Sequence, residues 1–568
     1  MADPAVTDPA APPARVPYNL AKVVDVVAER LPDREVIVWR DLRMTYRQLV
    51  ARANRVANVL HEHGLGVRVE RAGLAGHESG QDHLGLYLHN GNQYLESMIG
   101  AYKARVAPFN VNYRYVAEEL EYLLRNSAAR ALVYSARFAP VLAEVRANAP
   151  DLSLLLQVAD ESDNDLLPGA IDYETALAAA SPEPPPGVEP SPDDLYILYT
   201  GGTTGMPKGV LWRQDDIYVG AMGGRVFGTA NEYESYEAIA DHAAAAEVGL
   251  RIMPLPPFMH GAAQWASWMT FTNGGTIIIQ DDVEHLDAPG IWRRVEQENV
   301  NTVMIVGDSF ARPLVEELEN GAHDISSIVA ISNGGAPLNP ALKQRLLDQL
   351  PGTLVIDGVG ASETGAQMMS VSAPGAVSSG TFNAGPATVV LDEDLTKVLP
   401  PGHDGTGWLA EQGRVPLGYL GDPDKTARTF VELDGVRYAV PGDRARLLDN
   451  GQIELLGRDS VTINSGGEKI FAEEVEQAIA QHPAVYDVVV VGRPSERWGN
   501  EVVALVQVHE GQTVTDDELL TEAAEHIARY KFPKQFIYLP QLVRSPAGKA
   551  DYRWARAQAV EAPAADQP

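Results

Sequence analysis

The sequence contains no cysteine in 568 residues. That excludes a disulfide framework, a thiolate metal site and a cysteine nucleophile. Any sulfur this chain handles must arrive on a substrate. Positive charge is scarce as well: 45 Lys and Arg stand against 77 Asp and Glu, a net charge of −32. So negative a surface repels a phosphate backbone, which argues against a nucleic-acid partner but still allows a local cationic pocket for one nucleotide. Long apolar runs are missing too. None approaches the ~18 residues needed to span a bilayer, so no membrane span is expected. The opening MADPAVTDPAAPPAR lacks a basic start followed by an apolar segment. No secretory leader is read there, and a cytoplasmic location is the default expectation. Its Ala, Pro and Asp content predicts disorder.

The chain does have ample apolar mass. Hydrophobic residues make up 45% and charged residues 21%, enough to fill large cores. The length suggests three or four compact units, or fused ones. Short apolar runs bounded by polar residues or glycine read as buried strands at 36–39, 85–89, 131–134 and 152–158. Between them lie helical spacings. Leu49, Ala53, Val56 and Leu60 share one face, and 94–104, 117–125 and 141–147 read likewise. The Pro-rich 181–194 reads as a linker. The alternation then resumes, with strands at 195–199, 276–280, 302–306, 327–331 and 353–356 and helices at 291–298, 311–319 and 340–350. Alternating strands and helices imply an α/β fold with largely parallel sheets. From about 381 to 456 the character changes to glycine-rich short β runs. Beyond it lies a compact mixed segment, with helices at 472–480 and 516–528, strands at 485–491 and 502–509, and a basic tail. The reading is α/β: a large N-terminal domain (1–456) of mostly parallel sheets with flanking helices and a β-rich subdomain, then a small, mobile α+β domain (457–568).

The most informative stretch is TGGTTGMPKG, 200–209, directly after the apolar LYILY. Gly201, Gly202 and Gly205 let the backbone bend close to a ligand. Thr200, Thr203 and Thr204 offer hydroxyls, and Lys208 a positive charge. Together they describe a phosphate cradle. It is no Walker loop, which needs Ser or Thr after Gly-Lys.

This string resembles the signature loop of the adenylate-forming enzymes, which include acyl- and aryl-CoA synthetases, luciferases and peptide-synthetase adenylation domains. Further motifs follow in that family's order over nearly the whole chain. ILYTGGTTGMPKGVLWR and RSPAGKADYRWAR look most like actinobacterial acyl-CoA synthetases, including those acting on steroid side-chain acids. GVGASETG (358–365) places a carboxylate after a buried strand, which suits Mg²⁺. The resemblance makes Glu363 the magnesium ligand, with Thr204 beside it, and puts Ser362 at the family's usual threonine. Asp357 and Gly358 stand where the family contacts adenine. Val359 replaces the tyrosine that many members pack on the base. NGGAPL (333–338) follows a strand, where α/β sheets bind ligands. The resemblance assigns Gly334, Gly335, Ala336 and Pro337 to the adenine and acyl pocket, although the string alone reads equally as an ordinary turn.

Asp443, in YAVPGD, resembles the acid that accepts both ribose hydroxyls. GRDSVTINSGGEKIFAEEVE (457–476) resembles the domain junction. Arg458 would reach the nucleotide, Ser460 would be the hinge, Gly466 and Gly467 would line the pantetheine approach, and Lys469 would join the nucleotide contacts. Lys549, in SPAGK, resembles the lysine that enters the site during adenylation, where a desolvated cation stabilises phosphoryl charge. His260, in PLPPFMHG, resembles the histidine at the junction of the acyl and CoA pockets. WASWMTF (265–271) reads equally as an acyl-pocket wall or as core. The turn 77–82 reads as an inserted surface loop with no chemistry.

The implied activity is ATP-dependent acyl-CoA ligation of a hydrophobic acid, a fatty or steroid side-chain acid, with ATP, Mg²⁺ and CoA. The alternative is loading of an acyl group onto a separate carrier protein. The resemblance also carries an expectation of homodimers.

Overall fold

In a computed structural model, the described residues are 16–562, without 203–204, 227, 247–248, 322, 379, 466–467, 496–498 and 545–547. The opening segment expected to be disordered, Thr203, Thr204, Gly466, Gly467 and the side chains of Ser460 and Lys469 therefore lie outside the description.

Three sheets organise the described residues. In the largest, with 15 strands, the segments Glu35–Trp39, Thr276–Ile279, Arg251–Pro254, Thr302–Ile305, Ala330–Gly334 and Leu354–Ala361 run parallel, side by side in that order. The sheet then turns antiparallel through Gly365–Ser372, Thr381–Ala384, Gln452–Arg458 and Asp443–Leu447. The glycine-rich β region is therefore a continuation of this sheet. The second sheet has eight strands. Its parallel centre is Ala107–Asn110, His83–Tyr87, Ala129–Ser135 and Leu154–Val158. The third, with five strands, belongs to the C-terminal segment and is built around Val485–Ser495 paired with Gly499–Val508.

Local chemistry explains these elements. His83–Tyr87 is buried along its whole length, as a strand covered on both faces must be. Helix Tyr46–Glu62 opens on a capping box of Thr45 and Gln48 and buries the predicted face of Leu49, Ala53, Val56 and Leu60. Trp212, Trp268 and Trp292 are fully buried. Burying ~150–250 Å² of aromatic surface at ~25 cal/mol per Å² contributes roughly 4–6 kcal/mol each, as an upper bound. Among the described residues, no helix is long and apolar enough to cross a membrane.

Three expectations change. The strand expected at 327–331 is Ala330–Gly334. Ser326 and Ser327 instead form a turn in which Ser326 bonds Asp324 and the Ser327 hydroxyl donates to the Val300 carbonyl, competing with the ladder. The strand expected at 195–199 runs to Gly202 and pairs antiparallel with Gly205–Arg213. The 77–82 turn is not a free surface loop. Gly421 N–H donates to the His77 carbonyl, Ser79 bonds His83, and buried Asp82 pairs with Arg68.

Gly360 lies in strand Leu354–Ala361 opposite Gly365–Ser372, and a Cβ there would come within 2.2 Å of the Gly365 carbonyl oxygen. Gly360→Ala is expected to cost about 1–3 kcal/mol through overpacking. Urea unfolding should show a lower midpoint at an unchanged slope.

Candidate functional site

The Gly/Thr loop is the tip of a β-hairpin, with Thr200 opposite Lys208 and Gly202 opposite Gly205. Val210, Leu211 and Trp212 are buried and extend the second strand. Among the described residues, the next helix in the chain starts only at Gln214, beyond the hairpin. Any phosphate there must be held by backbone N–H groups, hydroxyls and lysine.

Glu363 sits on the turn joining Leu354–Ala361 to Gly365–Ser372. Two side chains bring that turn to the hairpin. Trp212 Nε1 donates to the Ser362 carbonyl at 2.8 Å. Tyr419, on the two-residue strand Gly418–Tyr419 that pairs with Val210 and Leu211, donates its hydroxyl to Glu363 Oε1 at 2.7 Å. Among the described residues this is the hydrogen bond that holds Glu363, and it engages one of two carboxylate oxygens. Lys208 Nζ lies 3.5 Å from Asp422 Oδ2 and 6.0 Å from the Tyr419 ring centroid. Lys425 Nζ lies 4.4 Å from the same centroid. Burial and the Lys208 charge bring Lys425 down to about 8.

Beside this cluster, the parallel strands place Asn333 opposite Asp357 and Gly334 opposite Gly358. Gly335 adopts φ +86°, a conformation that glycine permits. Ala336 and Pro337 continue the turn against Gly307, whose Cβ, if present, would meet the Pro337 carbonyl at 2.5 Å. Asp357 is already engaged: Oδ1 accepts from Asn333 at 2.9 Å and Oδ2 lies 2.7 Å from Lys343 Nζ. An adenine amino group would have to share those oxygens. Val359 packs on the cluster around Met368, Val390 and Leu409.

The end of the large sheet, the turn at His260 and the C-terminal segment with Glu473 and Lys549 supply the rest. Asp443 and Arg458 face each other across adjacent strands, with Arg458 Nε 3.2 Å from Asp443 Oδ1. Asp443 and, less strongly, Glu363 and Glu473 raise the Arg458 pKa against its burial. Lys549 lies deep in the cleft, with its surface still open to solvent there. Burial and then Arg458 push its pKa down, while Glu363, Asp443 and Glu473 pull it up. Glu473 is pushed up to about 7 by burial and by Asp443. It packs on Gly457, where φ is +107° and a Cβ would lie 2.5 Å from Glu473 Oε2. His260 precedes helix Gly261–Thr272. Its Nε2 is buried without a hydrogen-bond partner among the described residues, and burial, with Lys549 and Arg114, lowers it to about 4. A neutral ring with an orphaned nitrogen suits a bound polar group.

Residues about 190 to 210 positions apart in sequence thus come together: Glu363 with Lys549, and Lys208 with Tyr419. Trp265–Phe271 divides between the two readings open in the sequence. Trp268 and Phe271 are fully buried core, and Trp265 touches Gly261 beside His260. Sequence reasoning missed Tyr419, Lys425 and Glu473. The first two sit in YLGDPDK, which reads as a turn, and Glu473 lay unremarked inside a motif already quoted.

Comparison with known proteins adds the following. The family model of AMP-binding enzymes matches residues 24–420, and that of the AMP-binding enzyme C-terminal domain matches 474–549. The chain is 58% identical over 543 residues to the medium-chain acyl-CoA ligase Mig of Mycobacterium avium, covering 96% of this chain and 98% of that one. It is 40% identical over 555 residues to the 3-oxocholest-4-en-26-oate–CoA ligase of Rhodococcus rhodochrous, covering 96% and 97%. Its fold matches the crystal structure of the anthranilate CoA ligase AuaEII with anthranoyl-AMP, at TM-score 0.79 and 20% identity over 96% and 98% of the chains.

The His260 ring should titrate near 4 in an NMR titration. Since the Lys549 charge lowers that value, Lys549→Ala should move the midpoint upward. An unmoved midpoint would mean the two side chains do not share a cleft.

Proposed function

Since the chain belongs to the AMP-binding enzyme family, we propose that this cleft carries out ATP-dependent ligation of a hydrophobic carboxylic acid to coenzyme A, with its named side chains in the following roles. In the first half-reaction a carboxylate oxygen of the acid attacks the α-phosphorus of ATP. An acyl-AMP anhydride forms and pyrophosphate leaves. In the second, the CoA sulfur attacks the acyl carbonyl, the bond to AMP breaks, and the thiol proton is released. Activation is needed because a carboxylate is a poor electrophile and AMP a good leaving group.

The observation that carries this reading is Lys549, from the C-terminal segment, sharing one cleft with Glu363, Asp443 and Arg458. An ammonium there would stabilise charge that builds on the α-phosphoryl oxygens. Thr200, Thr203, Thr204, Lys208 and the backbone of Gly201, Gly202 and Gly205 would hold phosphate. Lys425 adds a second ammonium beside Lys208 at the Tyr419 ring, and two cations pressed together favour a polyanion next to them. Asp443 would accept the ribose hydroxyls, and Arg458 would hold Asp443 in place. Gly334, Gly335 and Gly358 leave room for the base. His260 would position the acid, with Trp265 beside it. Glu363, with a carboxylate oxygen unclaimed by Tyr419, suits a hard cation, so Glu363 and Thr204 would hold Mg²⁺. When bound, the metal neutralises charge on the phosphate oxygens.

The substrate class is a medium-chain fatty acid or a steroid side-chain acid, a reading supported by the names of the two curated relatives. Both are CoA ligases, which favours CoA over a carrier protein as acceptor. We place the domain division at 456/457 with the hinge at Ser460, and propose a cytoplasmic enzyme that forms homodimers. The direct test is a panel of such acids assayed for AMP, with mass detection of the thioester. AMP release without CoA dependence would overturn the reading.

Two further outcomes are expected. Lys549→Ala should slow acyl-AMP formation by ~10²–10³, yet convert pre-formed acyl-AMP and CoA to thioester at nearly the normal rate in single turnovers. Lys425→Gln should raise the KM for ATP by roughly tenfold with a smaller change in kcat, the pattern of lost ground-state binding. Steady-state kinetics at varied ATP would check it.

A further inference from the structure

Lys549 can reach the cleft only if the C-terminal domain docks on the large one in the right orientation, and the structure shows what holds it there. Helix Gly307–Asn320 of the large domain carries Arg312, which is 7% exposed. Its guanidinium donates through Nη2 to the Tyr486 carbonyl at 2.7 Å and lies 4.3 Å from the centre of the Tyr486 ring. Its Nη1 is 3.4 Å from His509 Nε2. Burial, and then the Arg312 charge, keep His509 below its ordinary range, so the ring can accept that contact while neutral. Tyr486 and His509 pack edge to face at 5.4 Å. These are neighbouring features of one surface: Tyr486 is the second residue of strand Val485–Ser495, and His509 follows its partner Gly499–Val508.

Two neighbouring contacts seat the same face. Asn339 Nδ2 donates to the Ala480 carbonyl at 3.0 Å. Gly548, the residue before Lys549, lies against the start of the Arg312 helix, where a Cβ would come within 2.6 Å of Ser309 Oγ and 3.3 Å of the Val306 carbonyl. Its φ of +70° also requires glycine. One helix of the large domain therefore abuts the residue beside the lysine at its first turn and grips the small-domain sheet through Arg312 at its second.

We propose that Arg312, clamped on Tyr486 and His509, is a positioning residue that holds the small domain in the orientation that delivers Lys549, and that this contact must be released before thioester formation. Arg312 touches no reacting atom. A planar guanidinium suits the task, since it combines a directed hydrogen bond with stacking on an aromatic ring. The inference rests on the ligase reading above.

The test separates the two half-reactions. Arg312→Ala should slow acyl-AMP formation by roughly five- to a hundredfold, the usual range for a conformational coupling. It should leave thioester formation from supplied acyl-AMP and CoA unchanged or faster. Arg312→Lys, which keeps the charge but loses the fork, should recover part of the loss. Tyr486→Ala should repeat the pattern from the other side. The absence of cysteine permits a clean second readout. Spin labels at Lys397→Cys and Glu525→Cys, both exposed, should give a distance distribution that broadens in Arg312→Ala. Equal loss in both half-reactions, or an unchanged distribution, would overturn the proposal. A wild-type chain that forms no acyl-AMP from any acid would instead overturn the ligase reading.

Discussion

The hydrogen bond from the Tyr419 hydroxyl to Glu363 joins the two large sheets at the point where chemistry is proposed. Glu363 stands on a turn of the fifteen-stranded sheet, and Tyr419 on the edge strand of the eight-stranded one. Burial raises the Tyr419 pKa, with Glu363 adding to it, so the phenol stays a donor at any physiological pH. The Tyr419 ring then becomes a platform for Lys208 and Lys425. Trp212 makes a second tie, to Ser362. With both in place, the hairpin carrying the Gly/Thr loop has one position relative to Glu363. The 77–82 turn supports the same segment, through His77 bonded to Gly421.

The whole chain is strongly negative, whereas this cleft brings cations and carboxylates into near balance. A net charge of −32 would repel ATP and CoA at long range. Within the cleft, Lys208, Lys425, Arg458 and Lys549 gather around Glu363, Asp443 and Glu473. Screening over about 8–10 Å at ordinary ionic strength lets the local cluster decide. Desolvation then strengthens each contact that a phosphate makes there.

Much of this was legible in the sequence, for identifiable reasons. The parallel strands and amphipathic helices followed from apolar runs and 3.6-residue spacing. Lys549, Glu363, Asp443, Arg458 and His260 were singled out because the strings that hold them resemble the family's motifs, and the structure places them around one cleft. What failed depended on pairing across the chain. The second strand of the loop hairpin contains Pro207 and two glycines, which read as turn material, yet its ladder to Leu195–Gly202 is fixed by partners on the other strand. Lys343 and Asn333, the partners of Asp357, also come from other elements and gave no local signal. Arg312 gave no signal, since its partner Tyr486 is 174 residues away.

The depressed pKa of Lys549 adds a consequence for how the two half-reactions can share one cleft. Burial and Arg458 disfavour its charged form in the docked arrangement, while carboxylates only partly offset them. Docking a charged lysine there is therefore disfavoured in the absence of further anions, an effect that its exposed surface screens. A bound triphosphate would supply those anions, so on the ligase reading ATP favours docking by its preference for the docked state. Departure of pyrophosphate removes most of that negative charge and leaves the ammonium under-compensated beside Arg458. On that reading, the electrostatics that bring Lys549 in for adenylation would push it out once adenylation is complete. Contacts remote from the phosphates, such as that of Arg312 with Tyr486, can hold the domain without depending on which anion is present. They must be weak enough for the loss of pyrophosphate to outweigh them. A single hydrogen bond, one ring contact and a distant histidine nitrogen form a clamp of that strength.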